Sequence, residues 1–434
     1  MDTMLSEFDY FNPIPIQSAI LDEYEEPFSP TTAISAGSTI DFKVTGEPSV
    51  YRDLSNSYIV VQCKVTQADN ANLQADALVA PVNLLLHSMF SSVDILVCGK
   101  RVGDKDTLYP YRAFMETLLT FSDDVLRTRA NIAGWCMDLD ANSMDRTILA
   151  TTGGVDPNPQ FVQRHAAIAD SRVYTLVGRP HADIFHQNLD IPPECSVDIT
   201  LTPSESKFAL MAIAAATFKL VIISAKLYVR SKLVATDLVM AHRTMLDKCD
   251  IRIPYTSVNM RKYPIAAGAG AHTISELFNT KLPKRIVVGL ATHDRVNGAY
   301  NLNPFKFQNF GLTEIGLTVG GQPVPREALK TNFNANAPDY GRAYLSTLAS
   351  LSMDIGNRAI AFTPQLWSSA YNLYAFKLVP GPIDDGPVQS YKSSANVCLS
   401  LTFAAALTAN VDVIIYSESN ALLSITKLNS AIVV

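Results

Sequence analysis

Apolar and polar residues alternate along much of this chain. Val197, Ile199 and Leu201 are separated by Asp198, Thr200 and Thr202. Two hundred residues later Val397, Leu399 and Leu401 are separated by Cys398, Ser400 and Thr402. Side chains of a strand point alternately to opposite faces, so each set turns one apolar face to a core. The same reading predicts strands at 39–44, 58–65, 92–98, 172–177, 183–187, 196–202 and 219–229. Further strands are expected at 285–290, 313–319, 372–377, 397–403 and 411–416, with a last edge at 422–426. Helical spacing is rare. A short helix is expected at 81–90, where Pro81 suits a first turn. A longer one is expected at 110–121, where Met115, Leu118 and Leu119 share a face. Many strands, few helices and no alternating strand–helix rhythm predict a mainly all-β protein built from antiparallel sandwiches.

The pattern occurs twice. Residues 93–99 read VDILVCG and 315–321 read IGLTVGG. Each is followed by an Arg-Ala-aromatic-x-x-Thr-Leu segment, at 112–118 and 342–348. Ile59-Val60-Val61 matches Ile286-Val287-Val288, and 196–202 matches 396–402. The offsets in chain order are 227, 222, 230 and 200, as loops of unequal length between the same strands require. Strand phase is kept in both copies, and a slip of one residue would turn the polar set inward. Two tandem eight-stranded jelly rolls are therefore expected, at 34–238 and 239–434. Gly99 and Gly321 end equivalent strands, where a turn with positive φ suits glycine. Arg112 and Arg342 are the charges that recur with the duplication, as ion-pair or interface anchors or as helix-surface residues with packed stems.

Residues 1–33 differ from the rest. They hold seven acidic residues, and no Lys or Arg precedes Lys43. Pro13, Pro15, Pro27 and Pro30 interrupt regular structure. Phe8, Tyr10 and Phe11 are too many aromatics for a merely solvated tail. The segment reads as an extended acidic arm that docks on a neighbour. Residues 122–170 form a second irregular stretch, with Gly153-Gly154 and Pro157-Asn158-Pro159. A loop of that length is expected to be functional or an interface.

Charge and composition narrow the function. The 434-residue chain is 48% hydrophobic and 18% charged, with a net charge of −6. With no strongly basic stretch, strong direct nucleic-acid binding is not expected. The longest apolar run, 208–218, is too short to span a bilayer. Six cysteines are scattered without a CxxC spacing, so reduced, mostly buried thiols are expected, as in an intracellular protein.

Motifs for nucleophilic, phosphate-binding or dinucleotide chemistry are missing. The best metal candidate is His181-Ala182-Asp183-Ile184-Phe185-His186. Read as a strand, it sends the two imidazoles to opposite faces, so no metal, cofactor or catalytic residue is expected. A cupin-like duplicated enzyme would need a His-x-His signature that both halves lack. A glycan-binding double sandwich is a further alternative.

Several segments together resemble the double jelly-roll major capsid proteins of adintoviruses and Polinton (Maverick) elements. In the first half these are 81–90 (PVNLLLHSMF), 109–114 (YPYRAF), 116–119 (ETLL) and 178–183 (GRPHAD). In the second they are 282–289 (LPKRIVVG), 297–300 (NGAY), 303–305 (NPF) and 312–316 (LTEIG). The resemblance runs from about residue 35 to the end and leaves the arm and the 122–170 stretch unmatched. It implies a structural, non-enzymatic protein of an icosahedral virion capsid. Three chains would form a hexon-like, pseudo-hexameric capsomer that meets other capsomers, penton and minor capsid proteins around a DNA genome. Synthesis in the host cytoplasm is implied, with nuclear assembly left open.

Overall fold

The computed structural model describes residues 16–103, 107–278, 281–353, 360–379, 395–427 and 431–433. Its strands in the first half are β1 (Ile20–Phe28), β2 (Ile40–Val44), β3 (Val50–Gln67), β4 (Val79–Pro81) and β5 (Phe90–Val97). These continue with β6 (Lys100–Arg101), β7 (Tyr174–Gly178), β8 (Val197–Pro203), β9 (Leu210–Ala212) and β10 (Phe218–Val234). The helix Thr236–Leu246 leads into the second half. There lie β11 (Ile251–Ile265), β12 (Ala271–Phe278), β13 (Arg285–Thr292), β14 (Leu312–Val319) and β15 (Gln322–Lys330). The last strands are β16 (Leu373–Lys377), β17 (Val397–Phe403), β18 (Val411–Ile425) and β19 (Ala431–Val433).

The sheets repeat strand for strand. One sheet of the first half runs β1-β10-β3-β7 and the other β2-β8-β5-β6. In the second half the orders are β11-β18-β13-β16 and β12-β17-β14-β15. Apart from the short β4–β9 pair and β19, each strand has its counterpart in the same place. Two eight-stranded jelly rolls result.

Register repeats as well. Val93, Ile95 and Val97 face Leu201, Ile199 and Val197 across β5–β8. Ile315, Leu317 and Val319 face Leu401, Leu399 and Val397 across β14–β17. Ile59 and Val61 face Leu227 and Ala225, while Ile286 and Val288 face Ser417 and Ile415. The alternating sets anticipated from β8 and β17 are buried in both copies. Their apolar faces join one continuous core that crosses from one sandwich to the other. Burying Val, Leu or Ile there contributes roughly 1.5–3 kcal/mol per side chain.

Four expectations need correction. The acidic arm does not stay outside the first sandwich: residues 20–28 are β1, antiparallel to β10 from Ile20↔Val234 to Phe28↔Leu227. The first domain therefore begins near residue 20, not 34, and the proposed 238/239 boundary falls inside the connecting helix. The acidic residues of β1 meet cations on its neighbours. Arg230 pairs with Glu23 at 2.8 Å and Arg52 with Glu26 at 2.5 Å. Phe8, Tyr10 and Phe11 lie outside the described residues.

Second, Cys98 and Cys195 form a disulfide, so these two thiols are not reduced. They flank the paired residues Val97↔Val197, which brings them together although 97 residues separate them. Cys63 is the buried thiol of the remaining four, and burial pushes it up to about 12. Third, residues 183–186 form a 3-10 helix rather than a strand. Fourth, 422–426 is no separate edge but largely the end of β18. Long β11, not anticipated, carries Pro254 and Pro264, which an edge strand tolerates because proline donates no ladder hydrogen bond.

Candidate functional site

The two sandwiches meet along a junction built mainly by the irregular parts of the first. The helix Tyr109–Thr120 starts with Pro110 in its first turn and buries Tyr111, Phe114, Met115 and Leu118. Phe114 stacks on Phe305 of the second sandwich, with ring centroids 4.3 Å apart and planes 7° from parallel. Tyr111 meets the edge of the same ring at 5.7 Å and donates its hydroxyl to the Pro304 carbonyl at 3.1 Å. Aromatic pairs of this kind contribute roughly 0.5–1.5 kcal/mol beyond the area they bury.

The 122–170 stretch supplies the polar half. Asp138, 1% exposed, accepts from Asn158 Nδ2 at 2.7 Å and Arg164 at 3.2 Å within its own sandwich. From the second sandwich Asn303 Nδ2 donates to its other carboxylate oxygen at 2.9 Å, and Tyr371 donates to its backbone carbonyl at 2.9 Å. Asp145 takes a two-pronged contact from Arg295, at 2.6 and 2.9 Å, plus Lys306 at 3.1 Å. Burial alone would raise the Asp145 carboxyl, but the Arg295 hydrogen bonds and charge outweigh it and hold it below its usual value. A carboxylate withdrawn from water needs its oxygens filled, and both oxygens of the half-buried Asp145 are filled from across the junction. The long excursion is thus an interface, and its partner is the other half of the same chain.

The residues singled out from the duplication part company here. Arg112 is buried in the junction, bonded to Glu116 at 2.9 Å and Asp183 at 2.7 Å. The Val258 amide of β11 donates to the same Asp183 oxygen at 3.2 Å. Arg342 lies in the equivalent helix, Gly341–Ser350, but on the surface, 3.3 Å from a mostly exposed Glu327. Gly99 and Gly321 do the same work in both halves. Cys98 and Gly99 have φ of 48° and 74°, and Gly320 and Gly321 have 54° and 83°. Both are two-residue hairpin turns with positive φ throughout, whose twist matches the strands they join.

Beside Arg112 sits a cluster that strand reasoning excluded. The 3-10 turn swings His186 back towards His181, and their ring centroids lie 5.7 Å apart. His181 Nδ1 is 2.6 Å from Glu116 Oε2, and His186 Nε2 is 3.7 Å from the same oxygen. His87 packs edge-on against His181 at 4.6 Å and shares a 2.8 Å hydrogen bond with Tyr109. Burial holds the His87 imidazole well below its ordinary value. Burial would raise the Glu116 carboxyl, but Arg112 and His181 hold it well below the usual range, as a carboxylate. The cluster borders a cleft of about 300 Å³ between the β3 bend and the helix-rich segment. The sequence showed the two histidines but not their third member, because Glu116 is 65 residues from His181.

Known proteins share this architecture. No profile of a protein family matches the chain. A chain of the Sputnik virophage superposes with a TM-score of 0.62 and 12% identity, covering 99% of this chain and 91% of that one. This is the double jelly-roll fold. The Faustovirus major capsid protein gives 0.58 at 9% identity, over 97% and 93% of the two chains. The mavirus major capsid protein gives 0.50 at 14% identity, over 100% and 96%. Among curated proteins, the uncharacterized protein F54H12.2 of Caenorhabditis elegans is 21% identical over 422 residues, 92% of this chain and 94% of that protein. No helix among the described residues is long and apolar enough to cross a membrane.

Proposed function

We propose that this protein is a major capsid protein of the adintovirus or Polinton type, a structural subunit without catalysis. The observation that carries the reading is the repeat of strand order and register in two sandwiches locked side by side through Asp138, Asp145 and Phe114. Two near-equivalent units per chain, repeated around a three-fold axis, give six lobes that tile a shell with near-six-fold contacts. The end-to-end likeness to virus capsid proteins supports this reading. The proposed location is the virion capsid, around a DNA genome, in contact with neighbouring capsomers, penton and minor capsid proteins. We assign the segment ahead of β1, with Phe8, Tyr10 and Phe11, to the inner side of the shell, in contact with an adjoining capsomer or a minor protein.

Mass photometry of the purified protein tests the proposal. A species of three times the 47.3 kDa chain mass is expected. A stable monomer at micromolar concentration would overturn it. Removing residues 1–15 should leave trimers intact and impair shell formation. Removing β1 as well should destabilise the first sandwich, because it leaves β10, still paired with β3, as an uncovered edge.

A further inference from the structure

We propose that Glu116, His181 and His186 bind a divalent transition-metal ion of the zinc type, which clasps the helix Tyr109–Thr120 to the loop carrying Asp183. Three donor atoms converge: Glu116 Oε2, His181 Nδ1 and His186 Nε2, all within 4.8 Å of one another. Metal–ligand bonds of about 2.0–2.2 Å in a tetrahedron set donors roughly 3.3 Å apart. The observed 2.6 and 3.7 Å from Glu116 Oε2 to the two imidazoles bracket that value, so side-chain adjustment suffices. Two imidazoles and a carboxylate favour zinc and its neighbours over magnesium or calcium, which prefer oxygen alone.

The surroundings supply what such ligands need. Arg112 Nε donates to Glu116 Oε1 at 2.9 Å, which leaves Oε2 directed at the histidines. Thr117 Oγ1 lies 3.3 Å from His181 Nε2. When a metal takes the Nδ1 lone pair, the neutral ring carries its proton on Nε2, where Thr117 accepts it. Outer partners of this kind fix the tautomer and orientation of metal-binding histidines. His181 and His186 both line the cleft, so an ion has a path from solvent and a fourth position open to water. The ion would reinforce the junction, because Asp183 in the same turn holds Arg112 and the Val258 amide of the second sandwich.

The test is titration of chelator-treated, full-length protein with Zn2+ by calorimetry, with Co2+ absorption as a second readout. One ion per chain, a tetrahedral Co2+ spectrum and a rise in melting temperature are expected, with no such rise from Mg2+. His186→Gln, a change at a partly exposed side chain, should weaken Zn2+ binding by more than the roughly 10–100-fold that loss of an outer partner costs, while leaving the metal-free melting temperature unchanged. Substoichiometric binding would overturn the proposal. So would undiminished affinity in both H186Q and H181Q, which would place the ion elsewhere on the surface.

Discussion

The helices Tyr109–Thr120 and Gly341–Ser350 occupy the same place in their sandwiches and begin with related sequences, yet they do different jobs. In the first, Phe114 and Arg112 are sunk into the junction between sandwiches. In the second, the matching Tyr344 is half-buried against Trp367, and Arg342 faces solvent. Duplication thus preserved the strand frame and released the connections. The first copy spends its long connection on holding the second. In the second copy, among the described residues, the equivalent helix packs only within its own sandwich and keeps Arg342 at the surface.

Paired substitutions would break that contrast if it is wrong. Phe114→Ala should cost about 4 kcal/mol, because a fully buried stacked ring leaves a cavity across the junction. Tyr344→Ala should cost about 1–2 kcal/mol. Denaturant titration of both variants measures the gap, and equal losses would show that the junction is no tighter than the second helix. Arg112→Met should cost about 3 kcal/mol, since it strands the buried Glu116 and Asp183 carboxylates. Arg342→Ala should stay within about 0.5 kcal/mol, as exposed ion pairs do.

The disulfide sharpens the comparison. It closes the β5–β8 end of the first sandwich, and the second has Gly320 and Ala395 at the matching positions. Replacing Cys98 and Cys195 together by Ser should destabilise the first sandwich by roughly 2–3 kcal/mol. Hydrogen exchange should show the loss confined to that half; loss spread evenly over both would mean the halves unfold as one unit. The smallest effect is expected where the copies agree. Gly99→Ala and Gly321→Ala should each cost about 1 kcal/mol, because an added Cβ meets nothing and only the positive φ is penalised. Unequal costs would point to different turn geometries in the two halves.

The sequence made the frame legible through phase. The offset of 222 between 93–99 and 315–321, and of 200 between 196–202 and 396–402, is the offset by which β5–β8 maps onto β14–β17, pair by pair. Alternation in a strand buried on one face is a local signal, so it survives without structural knowledge. β1 escaped because it pairs with a strand two hundred residues away and its face is charged, matched to Arg52 and Arg230. Its counterpart β11, which leads the second sandwich, was not anticipated either, so neither copy pointed to the other. The histidine cluster was hidden by a wrong period, since a 3-10 turn and a strand cannot be told apart over four residues such as Asp183–His186. The junction escaped for the same reason as Cys98 and Cys195. Its partners, such as Asp138 and Asn303, are joined by topology and not by spacing.

Cryo-electron microscopy of the purified, assembled protein bears most directly on the claim that this chain is a shell-building subunit. Class averages viewed down the three-fold axis should show a ring of six lobes, alternating between two slightly different outlines. Isolated two-lobed particles, at concentrations where capsid subunits associate, would contradict it.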